Sequence, residues 1–361
     1  LGDVTSSYSG GTPTAGTSNY YGGAIPFIRS GEISKDSTEL TITEEGLNNS
    51  AAKLVKRGDI LYALYGATSG EVSISRLDGA INQAILAIKP CIGYDSYLLM
   101  SLLKNEKKKI REKFLQGGQG NLSARIVKNI KLDIPSINEQ TKIGCLLLQL
   151  DRTITLHEEK KHQLERLKSA LLQKMFADKS GYPPVRFEGF SNEWEHCKLG
   201  DVADITTGSR NHQDSVTDGK YPFFVRSDKV ERLNEYDFDT KAILVPGDGR
   251  IGEIFHYYNG KFALHQRVYK VDNFNGINEL FLLGLFKYSF KEHALRLNAQ
   301  GTVPSLRLPM FTNWSISVPM IIEQERIGVF FQKLEQTISL YDHKLELLKK
   351  VKRSMLQAMF I

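Results

Sequence analysis

"PSINEQTKIG" at 135–144 and "PMIIEQERIG" at 319–328 open the same element twice, 184 residues apart. With that offset held and no gap, residues 139–176 match 323–360 at 15 of 38 positions. The shared residues include Glu139/Glu323, Gln140/Gln324, Ile143/Ile327, Gly144/Gly328 and the closing Met175-Phe176/Met359-Phe360. A period this long marks a duplicated domain rather than a solenoid.

The duplication extends well beyond these stretches. "LGDV" at 1–4 recurs at 199–202, and "IPFIRS" at 25–30 recurs as "YPFFVRS" at 221–227. "GEVSISRLDGAINQAILAI" (70–88) corresponds to "GEIFHYYNGKFALHQRVYKV" (252–271). Asp78-Gly79 and Asn259-Gly260 supply the positive φ of a type I′ turn, so each stretch predicts a β-hairpin. An amphipathic helix follows in each copy (97–115 and 279–297), then a Gly-rich loop, then a strand ending in Pro135 or Pro319. Each half reads as an α+β domain followed by a long helix: 1–138 and 139–180, then 181–322 (beginning with a linker) and 323–361.

The long helices carry an apolar repeat. Alternate steps of four and three from Ile143 give Leu147, Leu150, Ile154, His157, Lys161, Leu164, Lys168, Leu171 and Met175. The second copy gives Ile327, Phe331, Leu334, Ile338, Tyr341, Leu345, Leu348, Lys352, Met355 and Met359. A 3.5-residue repeat sustained this far predicts a coiled coil, with about 33 residues making a rod of about 50 Å. Ser136 and Glu139 have capping-box spacing, whereas the second helix has Met320 in place of the serine. Two equal rods in one chain predict antiparallel packing about an approximate twofold axis. Full overlap sets His157 opposite Leu345, Lys161 opposite Tyr341, Lys168 opposite Leu334 and Lys352 opposite Leu150, so that no polar seam residue meets another. One turn of B-DNA spans roughly 34–36 Å, a length that two domains on such a spacer can straddle.

Composition restricts the function classes. The chain has 361 residues, 41% hydrophobic and 24% charged, with a net charge of +6. By segment the balance is +3 for 1–138, +2 for 139–180, −1 for 181–322 and +2 for 323–361. That permits nucleic acid without demanding it and suggests phosphate contacts shared with a partner. Apolar runs such as "LFLLGLF" at 280–286 fall far short of the ~18 residues a membrane span needs. Cys91, Cys145 and Cys197 make neither a disulfide framework nor a metal knuckle, and a cytoplasmic location is expected.

The segment "PPVRFEGFSNEWEHCKLGDV" (183–202) resembles the opening of a target-recognition domain in the specificity subunits of Type I restriction-modification systems. "SGGTP" at 9–13, "IPFIRSGEI" at 25–33, "INQAIL" at 81–86, the Gly-rich loop, the Pro-x-x-x-Glu-Gln stretch and the heptad helix follow in the family's order, twice. Nothing in the first copy matches 181–198, so a leader of about that length is expected before Leu1. The resemblance implies a non-catalytic subunit whose two recognition domains each read half of a split double-stranded DNA target with a fixed spacer. It also implies an antiparallel coiled coil that docks two methyltransferase subunits, with restriction subunits completing the complex. S-adenosylmethionine, ATP and magnesium would belong to those partners, and this chain would carry no cofactor or metal.

The residues give no contrary sign. "GDGRIG" (247–252) fits a dinucleotide fingerprint, but such a motif must open a helix, and "EIFHYYNGKF" follows it. There is no P-loop, no nucleophile elbow and no Asp-Pro-Pro-Tyr-like stretch. His157 falls on the seam, His196-Cys197 in the linker and His265 in a strand, so the histidines form no metal set.

Base readout needs paired donors and acceptors: Arg for guanine, Asn or Gln for adenine, Ser/Thr more permissively. Candidates at matching positions are Arg29 and Ser30 with Arg226 and Ser227, then Thr68 and Ser69 with Arg250. Asn82 and Gln83 with His265, Gln266 and Arg267 are expected in the hairpin's second strand. Gln116, Gln119 and Asn121 with Gln300, Thr302 and Ser305 lie in the Gly-rich loops. For each, turn hydrogen bonding or a phosphate contact is the plainer account. The run "KNEKKKIREK" (104–113) reads as the solvated face of a helix burying Leu99, Leu102, Leu103, Ile110 and Phe114. The alternative to a DNA reader is a coiled-coil scaffold without DNA specificity.

Overall fold

The computed structural model describes residues 1–114, 121–178, 180–298 and 304–359. The chain forms two compact units, residues 1–157 with 344–361 and residues 158–343. Each long helix therefore contributes to both units.

In unit 1 the strands are β1 (Thr5–Ser9), β2 (Tyr21–Ile28), β3 (Leu40–Ile42), β4 (Lys53–Val55), β5 (Ile60–Ala63), β6 (Val72–Ile74), β7 (Gly79–Ile81) and β8 (Ile85–Pro90). They form two four-stranded sheets ordered β1-β8-β5-β6 and β3-β2-β7-β4. Helix α1 is Glu44–Asn48, α2 is Ser96–Phe114, α3 is Ala124–Lys128 and α4 is Ile137–Lys174. Leu99, Leu103 and Ile110 of α2 pack with Ile60, Tyr62, Leu86 and Ile88 in one core. Phe114, expected in that core, is exposed. Three lysines of the run meet carboxylates: Lys107 bonds Glu71, and the exposed Lys108 and Lys109 pair with Glu112 and Glu106 of their own helix.

In unit 2, β9 (Glu195–Lys198) precedes α5 (Leu199–Val202). A six-stranded sheet follows, ordered β10-β15-β13-β14-β11-β12. Its strands are β10 (Asp204–Thr207), β11 (Tyr221–Phe224), β12 (Glu231–Leu233), β13 (Phe238–Pro246), β14 (His256–Leu264) and β15 (Val268–Asp272). Then come α6 (Glu279–Leu285), a π-helical turn at 286–290, α7 (Lys291–Leu297), α8 (Leu308–Thr312), β16 (Ser315–Val318) and α9 (Ile321–Met359). The core is rich in rings: Trp194, Phe281, Phe286, Phe290, Phe311 and Trp314 are all buried.

Both predicted hairpins are corrected. β14 runs unbroken through Asn259-Gly260, paired antiparallel to β13 and parallel to β11. In unit 1 the same strand is interrupted before Asp78-Gly79: β6 pairs with β5, and β7 pairs with β2 and β4. The turn dipeptides sit along one strand because its two halves find different partners, a choice local turn propensity does not make. His196 and Cys197 are not linker but strand, in β9. No strand ends at Pro135 in unit 1, although β16 does run up to Pro319 in unit 2.

The repeated "EQxxIG" acts as a clasp. Buried Gln140 accepts from the Asp95 N–H (3.3 Å) and donates to the Pro135 carbonyl (2.9 Å). Buried Gln324 likewise accepts from the Asn278 N–H (2.8 Å) and donates to the Pro319 carbonyl (2.8 Å). Asp95 and Asn278 are themselves helix caps, accepting from Leu98 and from Leu280 and Phe281. The glycine four residues on lets that cap approach: a Cβ on Gly144 would lie 2.2 Å from Asp95 Oδ1, and one on Gly328 2.8 Å from Asn278 Oδ1. The glutamates diverge. Glu139 closes the capping box on Ser136, whereas fully buried Glu323 is gripped by both nitrogens of Arg186 at 2.7 Å.

Within each unit the long helices pack antiparallel. In unit 1 Leu147 and Leu356 share a cluster with Leu98 and Leu102, and Lys352 bonds Asp151 at 2.5 and 2.6 Å while Tyr97 donates to it at 2.6 Å. In unit 2 Lys161 pairs with Asp342 at 2.6 Å, and Lys168 and Lys287 share Glu335 at 2.7 and 2.5 Å. Each seam lysine thus meets the acid one residue beyond the apolar partner expected opposite it, which corrects the all-apolar pairing. A long side chain reaches past the seam to the nearest carboxylate because a buried unpaired ammonium is costly.

Gly328→Ala and Gly144→Ala should each cost about 1–3 kcal/mol by overpacking the cap, read as a lower urea midpoint; unchanged midpoints would sink the clasp. Glu323→Ala should cost about 3–5 kcal/mol, because it breaks a largely buried ion pair and strands a half-buried guanidinium, and Glu139→Ala should cost far less. Equal losses would contradict the different roles.

Candidate nucleic-acid interface

In both units one loop, after β1 in unit 1 and after β10 in unit 2, folds beneath a turn, the one before β8 or before β15. Glycine makes the approach possible. A Cβ on Gly10 would lie 1.9 Å from the Ile81 carbonyl oxygen, and one on Gly208 2.1 Å from that of Leu264. The loops are then tied by side chains: Thr12 donates to Gln83 in unit 1, and Gln266 donates to Asn211 at 2.6 Å in unit 2. One backbone platform thus displays a different polar pair in each unit.

In unit 2 the platform opens into a cleft of about 520 Å³ lined by Asn211, His212, Gln213, Arg226, His265, Gln266 and Arg267. Arg226 and Arg267 are half or more exposed, and both stand near one carboxylate, Asp248, at 3.8 and 3.9 Å. These separations exceed hydrogen-bond reach, so both forks can turn to a guanine edge or a phosphate. The Gln266–Asn211 pair offers an acceptor (Gln266 Oε1) and a donor (Asn211 Nδ2), the complement of an adenine major-groove edge. Arg210 is spent on Asp237 and Glu235, both at 2.9 Å, and His212 lies 3.0 Å from Glu231.

The other sequence candidates divide. His265 is not in a strand: it is buried in the turn between β14 and β15, its Nδ1 accepting from the Arg267 N–H at 2.9 Å. Burial, with Arg226 nearby, lowers its pKa. Asn82 and Gln83 likewise occupy a turn, where Asn82 Oδ1 accepts from Ala84 N–H. Ser69 is buried and bonds the Leu64 carbonyl; Thr68 bonds that of Tyr65. Arg29 is committed to Glu32 and Glu39, with half-buried Ser30 beside it. Ser227 bonds the Lys229 carbonyl, and Arg250 pairs with Glu253 and Asp228. Asn121 accepts from Gly66 N–H and Ser305 N–H donates to Asn298. Gln116, Gln119, Gln300 and Thr302 lie outside the described residues. Thr12, Asn211, His212 and Gln213 were not among the candidates. The glycine after the first strand of each repeat ("SGG", "TGS") was the available signal.

Seam residues are buried or half-buried wherever their side chains are described: Ile143, Leu147, Leu150, Ile154, His157, Lys161, Leu164 and Leu171 on α4, Met175 just past its end, and the seam positions from Ile327 to Met355 on α9. "GDGRIG" forms the turn from β13 into β14, with no helix after it. Among the described residues no group of His, Cys, Asp and Glu could hold a metal ion, and no helix is long and apolar enough to cross a membrane.

A model of the Type I restriction modification DNA specificity domain matches residues 1–166 and 191–350. The chain belongs to this family. It is 28% identical over 169 residues to the Type I restriction enzyme EcoDI specificity subunit of Escherichia coli, a match spanning 45% of this chain and 37% of that subunit. It is 24% identical to the MjaIX specificity subunit of Methanocaldococcus jannaschii, covering 98% of this chain and 90% of the relative. The crystal structure of the S subunit of a Type-I restriction-modification system from M. genitalium superposes with a TM-score of 0.74 at 16% identity, covering 100% and 94% of the two chains. The fold is shared with that subunit: two recognition-type domains linked by long paired helices.

The chemistry of His265 sets a pH limit on this face. Its folded pKa lies below the unfolded value of ~6.5, so the unfolded state takes up the proton first and stability falls as pH drops through that value. His293, half-buried and donating to the Met310 carbonyl, is lowered in the same direction, chiefly by desolvation. The acid limb of a stability–pH curve for unit 2 should therefore flatten in a His265→Gln, His293→Gln variant; an unaltered limb would refute the assignment.

Proposed function

We propose that this chain is the DNA-reading subunit of a Type I restriction-modification complex, with each unit reading one half of a split target. The duplicated platform carries this reading: the Gly10 and Gly208 approaches repeat the same backbone, while Thr12/Gln83 and Asn211/Gln266 give the two units different donors and acceptors. A scaffold would not need two divergent polar faces on one conserved frame. The paired helices would set the nonspecific spacer and seat two methyltransferase subunits, to which restriction subunits add. Adenine methylation, ATP hydrolysis and cleavage belong to those partners, and the mildly basic balance of +6 fits phosphate contacts shared among them.

The test is a genome-wide map of methylated adenine in cells expressing the chain with its cognate modification subunit, compared with a strain in which residues 199–318 come from another recognition domain. A split motif with one half altered by the exchange is expected. A complex that assembles but yields no motif dependent on this chain would instead favour the scaffold. Within the motif, Arg267→Ala should cost about 1–3 kcal/mol of binding and relax one position of the half read by unit 2. A uniform loss across all sequences would make Arg267 a phosphate contact.

A further inference from the structure

The two units share one backbone node and fill it with different chemistry. In unit 1 the Leu64 N–H donates to the Ala84 carbonyl at 2.8 Å, and the Leu122 N–H donates to the Leu64 carbonyl at 2.7 Å. In unit 2 the Gly247 N–H donates to the Arg267 carbonyl at 2.8 Å, and the Leu306 N–H to the Gly247 carbonyl at 2.6 Å. The next residue, Tyr65 or Asp248, therefore leaves the node at the same place. Each is followed by a glycine with positive φ, Gly66 at 71° and Gly249 at 80°. The parallel pairs Ile28–Ile81 and Phe224–Leu264 fix a third equivalence: two residues further on, Ser30 takes the place of Arg226.

Three positions thus change together. Unit 2 sets Arg226, Asp248 and Arg267 at the node, two cations about one carboxylate. Unit 1 sets Ser30, Tyr65 and Ala84 there, with no formal charge. Tyr65 is 40% exposed, and its backbone is held on both sides. The Tyr65 carbonyl accepts from the Thr68 hydroxyl at 3.3 Å, and the Gly66 N–H donates to Asn121 at 3.4 Å. Among the described residues neither a ring contact nor a side-chain hydrogen bond holds the phenol. A fixed backbone presenting an uncommitted ring suits a contact residue, because little ordering remains to be lost on binding.

We infer that Tyr65 determines specificity at one position of the half-site read by unit 1, its ring and the Ala84 methyl meeting the C5-methyl of a thymine. This rests on the DNA-reading function proposed above and gives it a base chemistry. The thymine methyl is the apolar feature of the major-groove edge, and alanine and aromatic side chains are its complement. An uncharged node cannot repeat the guanidinium contact that Arg226 and Arg267 offer to guanine. The two half-sites therefore differ at the node in class of base pair, A·T for unit 1 and G·C for unit 2.

The experiment uses the chain in complex with its cognate modification subunit and maps methylated adenine for the wild type, Tyr65→Ala and Tyr65→Phe. The half read by unit 1 is the one that exchanging residues 199–318 leaves unchanged. Tyr65→Ala should relax one A·T position in that half and leave the other half intact. Tyr65→Phe, which keeps the ring, should retain the motif. In a duplex carrying the mapped motif, deoxyuridine then replaces that thymine, which removes only the methyl. Binding of the wild-type complex should weaken about fourfold, the worth of one buried methyl, and binding of the Tyr65→Ala complex should not change. An unchanged motif in Tyr65→Ala, relaxation at a G·C position, equal relaxation in Tyr65→Phe, or wild-type binding indifferent to deoxyuridine overturns the inference while the DNA-reading function stands. A wild-type map with no motif dependent on this chain would overturn that function, and the inference with it.

Discussion

The position of each long helix rests on one buried glutamine. Gln140 and Gln324 stand where a helix begins, a domain's last extended segment ends and a second helix is capped, three places where backbone groups lack partners. Each glutamine satisfies an N–H of the cap residue and a carbonyl of the preceding proline at once. With the glycine beside it admitting the cap, the long helix is fixed to the amphipathic helix of its own unit. The domain and the rod are one packed object at that point. A polar anchor of this kind also selects a single geometry, since a slipped helix would bury an unsatisfied amide.

The ion pairs along the seam repeat the theme with charge. Lys352–Asp151 in unit 1 and Lys168–Glu335 in unit 2 are repeat equivalents, lysine for lysine and acid for acid. Lys287 adds a second cation to Glu335. Burial opposes that carboxylate's charge, yet the two ammonium groups hold it below the ordinary range. Burial also pushes Lys287 itself down, offset only in part by Glu335. Such pairs contribute modest net stability, but they penalise any register in which a seam lysine loses its acid.

The proposed reading face follows from a different constraint. A Gly-supported loop crossing and a turn are held by backbone contacts and by the Thr12–Gln83 and Gln266–Asn211 bonds, which leaves neighbouring Arg226 and Arg267 without a structural hydrogen bond to make. Arg210, Arg29, Ser69 and His265 show the opposite condition: each is committed to a carboxylate, a carbonyl or a turn N–H. Arg226 and Arg267 stand beyond hydrogen-bond reach of Asp248, the freedom that the proposed reading requires of them.

The duplication, the α+β character of each half, the long helices and the apolar seam were legible in the sequence, because periodicity and repeats are local and survive without coordinates. The capping box at Ser136 and Glu139 was legible for the same reason. What the tertiary structure alone decided was pairing. Asn259-Gly260 reads as a hairpin turn until β13 pairs with it, Lys241 opposite Asn259 and Thr240 opposite Gly260, and carries the strand on. Lys168 reads as a seam lysine facing Leu334 until Glu335 arrives from a helix distant in sequence. Gly10 and Gly208 read as ordinary loop glycines until the crossing carbonyls show why no other residue fits. In each case the deciding contact joins residues far apart in the chain, and local propensity carries no term for it.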